Sequence, residues 1–196
     1  IVHPEKVLTT MMQFVDIAGL VAGASRGEGL GNKFLSHIRE TDAIAHIVRC
    51  FEDDDITHVA GRIDPMADIE TIDTELCLAD LEAAEKALDK TKKQTRSGDK
   101  EAIKLAELLE RVVTHLGEGQ PLRVMELDAS EWETLKAWQF ITAKPVLYVA
   151  NVADHELGEN DYVDALRGYA GQQNAEVVVL SAALEAELAQ LDPEDQ

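Results

Sequence analysis

Basic residues are scarce in this chain: 18 Lys and Arg stand against 38 Asp and Glu, a formal charge of -20 over 196 residues. A surface of that sign repels phosphate backbones and anionic membranes unless its few cations are gathered in one place. Aromatic residues are few as well, at 5%, although 45% hydrophobic residues can build a sizeable core of the globular α/β class. The two cysteines, Cys50 and Cys77, form no C-x-x-C pair and no metal-ligand series, which fits a reducing compartment. No apolar run approaches ~18 residues and no signal-like segment is present, so the expectation is a cytoplasmic protein with no membrane span. Also absent is any G-x-x-x-x-G-K-[ST] sequence, the loop whose backbone cradles nucleotide phosphates.

What is present begins with alternating apolar runs. TMMQFV (10–15) reads as a strand ended by Asp16, and Asn32 to Glu40 as a helix with Phe34, Leu35 and Ile38 on one face. DAIAHIVRCF (42–51), KPVLYVANV (144–152) and AEVVVLSA (175–182) fit buried parallel strands, with helix-forming DYVDALRGYA between the last two. Strand and helix alternate, which favours a parallel sheet with crossover helices.

The middle of the chain breaks that rhythm. Leu81, Ala84 and Leu88, then Ile103, Ala106, Leu109, Val113 and Leu116, recur three or four residues apart. RSGD (96–99) supplies a turn, so 74–96 and 99–116 read as an antiparallel, coiled-coil-like helical hairpin. Each arm of some 20 residues would be about 30 Å long. A shorter helix is expected around ASEWETLKAWQF (129–140). The domain boundaries that follow are 1–73 for a first part of an α/β domain, 74–140 for the helical insertion and 141–196 for the second part. Between Lys86 and Lys104 seven basic residues face three acidic ones, a local charge of +4. Such a run is either a solvated helix surface or a basic tip, carried by Lys90, Lys92, Lys93 and Arg96, that touches RNA while the acidic body stays away.

Three short motifs follow three of the strands. Asp16 and Gly19 form D-x-x-G: in a phosphate site the carboxylate holds Mg²⁺, usually through water, and the glycine N–H reaches a γ-phosphate. Gly19, Gly23, Gly27, Gly29 and Gly31 permit a segment that rearranges when that phosphate leaves. The alternative is a strand ending in an Asx turn. VANVAD places Asn151 to Asp154 at the end of an apolar strand, where a base lies in an α/β nucleotide fold. In the N-K-x-D form of that motif the carboxylate accepts from guanine while the lysine stem covers the ring, and here Val152 stands in the lysine's place. VLSAAL then puts Ser181, Ala182 and Ala183 after the next strand, small enough for backbone groups to approach a base. Three such motifs in this order carry more weight than any one of them.

DIAGLVAGASRGEGLGNKFLSHIRETDAI, IVRCFEDDDITHVAGRIDP and TELCLADLEAAEKAL together resemble the YchF/Obg-like ATPase family, P-loop NTPases of the translation-factor class. The likeness runs through nearly the whole chain. It implies a partial P-loop NTPase, G-domain-like, with a parallel sheet and an inserted antiparallel helical hairpin. Members resemble GTPases, commonly prefer ATP, hydrolyse it slowly, associate with ribosomes and carry a C-terminal TGS domain. By resemblance, Asp16 binds Mg²⁺ and Gly19 the γ-phosphate. Leu20 replaces the water-orienting glutamine of Ras-like enzymes, and His58, within ITHVAG, is the candidate substitute, with a surface or capping histidine as the other reading. Asn151, Val152, Ala153, Asp154, Ser181, Ala182 and Ala183 are the implied nucleotide contacts. The family's base motif closes with glutamate where this chain has Asp154; the aspartate favours guanine, and the missing lysine favours ATP.

The resemblance also implies a fragment, lacking the phosphate loop and the TGS domain and inactive by itself. The parent would be a ribosome-associated, Mg²⁺-dependent hydrolase of ATP or GTP that contacts the large subunit or its RNA, with neither membrane nor DNA as a partner. The competing reading is a non-enzymatic ribosome- or protein-interaction module acting through the hairpin. A plain coiled-coil protein would explain 74–116 but not the three motifs outside it.

Overall fold

The computed structural model describes residues 11–17, 30–53 and 63–191. Its elements run α1 (Leu30–Arg39), β1 (Ile44–Arg49), α2 (Pro65–Thr95), α3 (Lys100–Gly117), α4 (Ala129–Leu135), β2 (Val146–Asn151), α5 (Asp161–Gln172), β3 (Glu176–Leu180) and α6 (Ala182–Leu188). Short 3₁₀ turns at Leu122–Val124, Lys136–Trp138, Ile141–Ala143 and Asp154–Glu156 join them.

Among the described residues the sheet has three strands in the order β1-β2-β3, parallel throughout. Ile44 pairs with Val146 and Arg49 with Asn151, while Leu147 pairs with Glu176 and Asn151 with Leu180. Parallel strands require crossovers, and these are α5 between β2 and β3 and the whole helical insertion between β1 and β2. Side chains alternate along the strands, so Val48, Tyr148, Ala150 and Val152 share one face and pack on Ile69 of α2 and Val163, Leu166 and Ala170 of α5.

The strands were expected to be buried on both faces, and they are not. Ile47 is 69% exposed, and Leu147 and Val178 are also exposed on the face opposite that core. The described helices α2 and α5 cover one side only. The expected first strand is likewise absent: Met11–Ile17 has no strand geometry, and Met11, Met12, Phe14 and Val15 are exposed. A strand exists only as part of a ladder, and no described strand pairs with this segment.

The helical hairpin is present, with a longer first arm than expected. Helix α2 begins at Pro65 because Pro occupies a first-turn position and the Asp64 side chain accepts from Ala67 N at 3.1 Å. Its 31 residues span roughly 46 Å at 1.5 Å per residue. The turn falls on Arg96–Asp99, with Gly98 at φ +79° and Asp99 capping α3 through Glu101 N at 3.0 Å. Ala84 and Leu88 of α2 share a core with Ala106, Leu109, Val112 and Leu116 of α3, and Leu122, Leu135 and Phe140 close it at the root. Ile103 was expected in this seam but is exposed; Ala102, one position earlier, takes the inward place. The expected 129–140 helix forms as α4, opened by an Asp128/Glu131 capping box, followed by the Lys136–Trp138 turn.

Two buried carboxylates on α2 tie the root of this arm to the rest of the chain. Asp73 receives Arg123 Nη2 at 3.1 and 3.3 Å and the Tyr169 hydroxyl at 2.6 Å. Asp80, fully buried, accepts from Ile141 N at 3.0 Å and from Thr142 N and Oγ1 at 2.7 and 2.8 Å. Arg39 of α1 pairs with it at 3.1 Å.

Candidate nucleotide site

The carboxyl ends of the three parallel strands lie side by side, the place where open α/β sheets bind ligands. At the end of β1, Cys50 is fully buried and donates its N–H to Asn151 O at 2.8 Å. Burial, and then the charge of Glu156, pushes its thiol up to about 11. The neighbouring Phe51 lies under the Arg49 guanidinium, 4.7 Å from the ring centroid, and Arg49 also donates to Phe51 O and Asp53 O at 3.2 Å.

At the end of β2, the Asn151 side chain reaches across to the next strand exit. Its Oδ1 accepts from Ala182 N at 2.9 Å, while Val152 N donates to Leu180 O at 3.0 Å. Asp154 opens the following 3₁₀ turn and receives the Ser181 hydroxyl on Oδ1. Ser181 is buried and caps α6, accepting from Leu184 N at 3.4 Å. Two hydrogen bonds, from Ala182 N to Asn151 and from the Ser181 hydroxyl to Asp154, therefore join the two loops. Asp154 itself is exposed, with its second carboxylate oxygen directed to no described donor.

Val152 stands where the motif's lysine would be, and its side chain points into the core. It follows Tyr148 and Ala150 at period two on the inward face, is 2% exposed and belongs to the core, so its side chain is unavailable to cover a ring. Ala153 is half-buried beside it, and Ala183 is exposed in the first turn of α6.

Asn160 was not anticipated. It caps α5 by accepting from Val163 N at 3.1 Å, and its Nδ2 donates to Cys50 O at 2.8 Å and Glu156 Oε2 at 3.1 Å. One residue thus fastens the β1 exit to the β2 exit. The signal was an asparagine immediately before a helical pattern. Tyr162, two residues on, closes the same side by donating to Glu52 Oε1 at 2.9 Å.

Asp16 is exposed, and among the described residues no group of three or more His, Cys, Asp or Glu side chains could hold a metal ion. Gly19, Leu20 and His58 lie outside the described residues. At the arm tip Lys90, Lys92, Lys93 and Arg96 are all exposed, but Lys92 pairs with Glu110 of α3 at 2.8 Å. No described helix is long and apolar enough to cross a membrane.

A family model described as 50S ribosome-binding GTPase matches residues 3–152. The chain is 54% identical over 196 residues to the ribosome-binding ATPase YchF of Haemophilus ducreyi and 47% identical to that of Escherichia coli O157:H7, in each case covering 100% of this chain and 54% of the relative. Among solved structures, the YchF GTPase of Schizosaccharomyces pombe superimposes with a TM-score of 0.78 at 34% identity, over 91% of this chain and 50% of that one. The chain spans about half the length of the curated relatives it matches.

Proposed function

Because the chain belongs to the 50S ribosome-binding GTPase family, in its YchF group, we propose that it is the phosphate-sensing and base-reading part of a Mg²⁺-dependent nucleotide hydrolase that works on the ribosome. The observation that carries this reading is the pair of hydrogen bonds, from Ala182 N to Asn151 and from the Ser181 hydroxyl to Asp154, that joins two loops at the carboxyl ends of adjacent parallel strands. This pairing presents an exposed carboxylate and small residues on a rigid support, which is what recognition of a base edge requires.

ATP is the preferred nucleotide in this reading. Guanine recognition through a carboxylate works best with a long side chain lying over the ring, and the buried Val152 supplies none. Asp16 would hold Mg²⁺ through water, and the metal would neutralise charge on the transferred phosphoryl group. Gly19 donates its N–H to the γ-phosphate, and His58 orients water in place of the glutamine that Leu20 replaces. The chain contains no phosphate-loop sequence, so by itself it binds nucleotide weakly and shows no turnover.

The arm is the ribosome-facing part, with RNA of the large subunit as its partner and the cytoplasm as its compartment. Lys90, Lys93 and Arg96 supply the cationic surface, and Lys92 contributes less because Glu110 already neutralises it. The non-enzymatic reading keeps only this arm. Calorimetric titration of ATP and GTP with Mg²⁺, into this chain and into a protein of the relatives' full length that carries it, separates the two. Binding that appears only in the longer protein, tighter for ATP, is expected; no binding to either leaves the interaction module. Equal affinity for GTP would overturn the assigned base preference.

A further inference from the structure

The helix that follows the glycine-rich segment is fastened chiefly to the arm, with Ile44 at the start of β1 also packed against its apolar side. On α1, Leu35 and Ile38 are buried against Ile72, Leu76 and Ala79 of α2 and Ile141 at the arm's return. Arg39, the last residue of α1, makes three contacts there. Its Nη1 lies 3.1 Å from Asp80 Oδ1 and donates to Gln139 O at 3.2 Å, and its Nη2 donates to Ala79 O at 3.2 Å. From the other side Lys144, two residues before β2, donates its ammonium to Arg39 O at 3.1 Å and to Thr41 O. A cation at these carbonyls also complements the negative end of the helix dipole.

Asp80 is committed on every side, to Ile141, Thr142 and Arg39, and is fully buried. It cannot follow Arg39 without taking the 141–143 turn with it. Packed interiors move as bodies rather than deform continuously. Beyond Asp80 the arm runs on to Thr95, roughly 22 Å at 1.5 Å per residue, so a small rotation of α1 at Asp80 becomes a larger displacement at Ser97.

Resting on the nucleotide-switch reading above, we infer that Arg39 is a coupling residue: through Asp80 it joins α1 to the helical arm, so that the state of the bound nucleotide sets the angle of the arm. The contact with Gln139 O and Ala79 O makes the joint three-pronged, which a shorter or more compact cation cannot reproduce in full. Arg39 is itself partly exposed and the apolar contacts of α1 are independent of it; its removal lowers stability, because Asp80 is fully buried, but Asp80 keeps its three hydrogen bonds from Ile141 and Thr142, and retained nucleotide affinity reports that the variant is folded.

The test uses a protein of the relatives' full length carrying this chain, with spin labels at Gln94→Cys on the arm tip and Ala165→Cys on α5. Cys50 and Cys77 are buried and stay unlabelled in the folded protein. Distances are measured with Mg²⁺ and either ADP or a non-hydrolysable ATP analogue. Two separate distributions are expected with Arg39 intact; they merge into one in Arg39→Ala at unchanged nucleotide affinity, and separate again in part in Arg39→Lys. A full shift retained in Arg39→Ala, or no shift in the unaltered protein with nucleotide bound, overturns the coupling and leaves the nucleotide site standing. A protein that binds neither nucleotide overturns the site and the coupling together.

Discussion

Tyr169 on α5 donates its hydroxyl to Asp73 on α2 at 2.6 Å, and the same carboxylate holds Arg123 from the turn after α3. The group lies where arm, sheet and crossover helix meet. Arg123 has 7% of its side chain exposed, and its Nε and Nη1 have no partner among the described residues. Among the described residues Asp73 is therefore its only ion-pair partner, with the Tyr148 hydroxyl beside it. Asp73→Ala leaves a buried guanidinium uncompensated and is expected to cost about 3–5 kcal/mol. Tyr169→Phe removes one hydrogen bond to a charged group, about 1.5–3 kcal/mol. Urea denaturation of the three proteins checks both figures, and their order is the stronger test.

His46 on β1 lies 5.6 Å from the Tyr148 ring, and burial holds its pKa below the ordinary 6.5. Asp73 and Asp68 of α2 oppose that shift and Arg123 reinforces it. A folded-state pKa below the unfolded one means that the unfolded chain binds the proton more readily. Stability from this residue is therefore complete above pH 6.5 and falls as pH drops below it. His46→Gln should flatten that part of the curve of melting temperature against pH. An unchanged slope below pH 6.5 would show that the acid sensitivity comes from elsewhere.

The two thiols give an alkaline counterpart. Burial pushes Cys50 to about 11 and Cys77 to about 12, from an ordinary 9.0. Raised folded-state values keep their contribution intact below pH 9 and remove it progressively as pH rises toward 11 and 12. At pH 8 a disulfide reagent should react with neither thiol in the folded protein and with both in urea. Rapid native-state labelling of Cys77 would mean that the core between α2 and α3 opens far more often than its packing implies.

At the tip of the arm Gly98 has φ +79°, and a Cβ placed there would meet nothing within 4 Å. The cost of Gly98→Ala is thus purely that of the left-handed backbone, about 1–2 kcal/mol. Gly98→Asn should cost less, because asparagine tolerates this region. Helicity loss on heating, followed by circular dichroism, distinguishes the two.

Binding to isolated ribosomes tests the basic surface. Charge reversal at Lys90, Lys93 and Arg96 together should weaken binding at least tenfold and reduce its salt dependence. Reversal at Lys92 alone should disturb the arm through Glu110 more than it disturbs binding. Equal binding by the native and triply reversed proteins would remove the arm tip from the interface.

Local patterns announced α1 to α5 and β1 to β3, because apolar spacing follows directly from 3.6- and 2-residue periods, but they also suggested a strand at 10–15 that does not form over 11–15 and gave no sign of α6. The arm's seam was legible apart from Ile103, where the apolar residue points outward and small Ala102 points in. The start of α2 was missed because the composition changes near Thr74, whereas the cap and Pro65 set the geometry earlier. Motif order placed Asn151 to Asp154 and Ser181 to Ala183 after successive strands, but not which of them bond to one another. Val152 shows why: its side depends on strand phase, and the motif reads only its position. The Arg39 and Asp80 contact joins residues on different helices and left no local trace, since each alone is an ordinary surface-type residue.

The register that sets Ile44 beside Val146 joins residues about a hundred positions apart, with the entire arm between them. Helical hairpins form from neighbouring segments, while this ladder waits for its second strand to exist. During synthesis at ~5–20 residues per second, β1 spends roughly 5–20 s without the partner it finally pairs with. The arm is then already assembled, and it delivers β2 to β1 from a folded base. Substitutions that loosen the arm's root should for that reason slow the closing of the sheet, leaving an apolar strand edge open to other chains for longer.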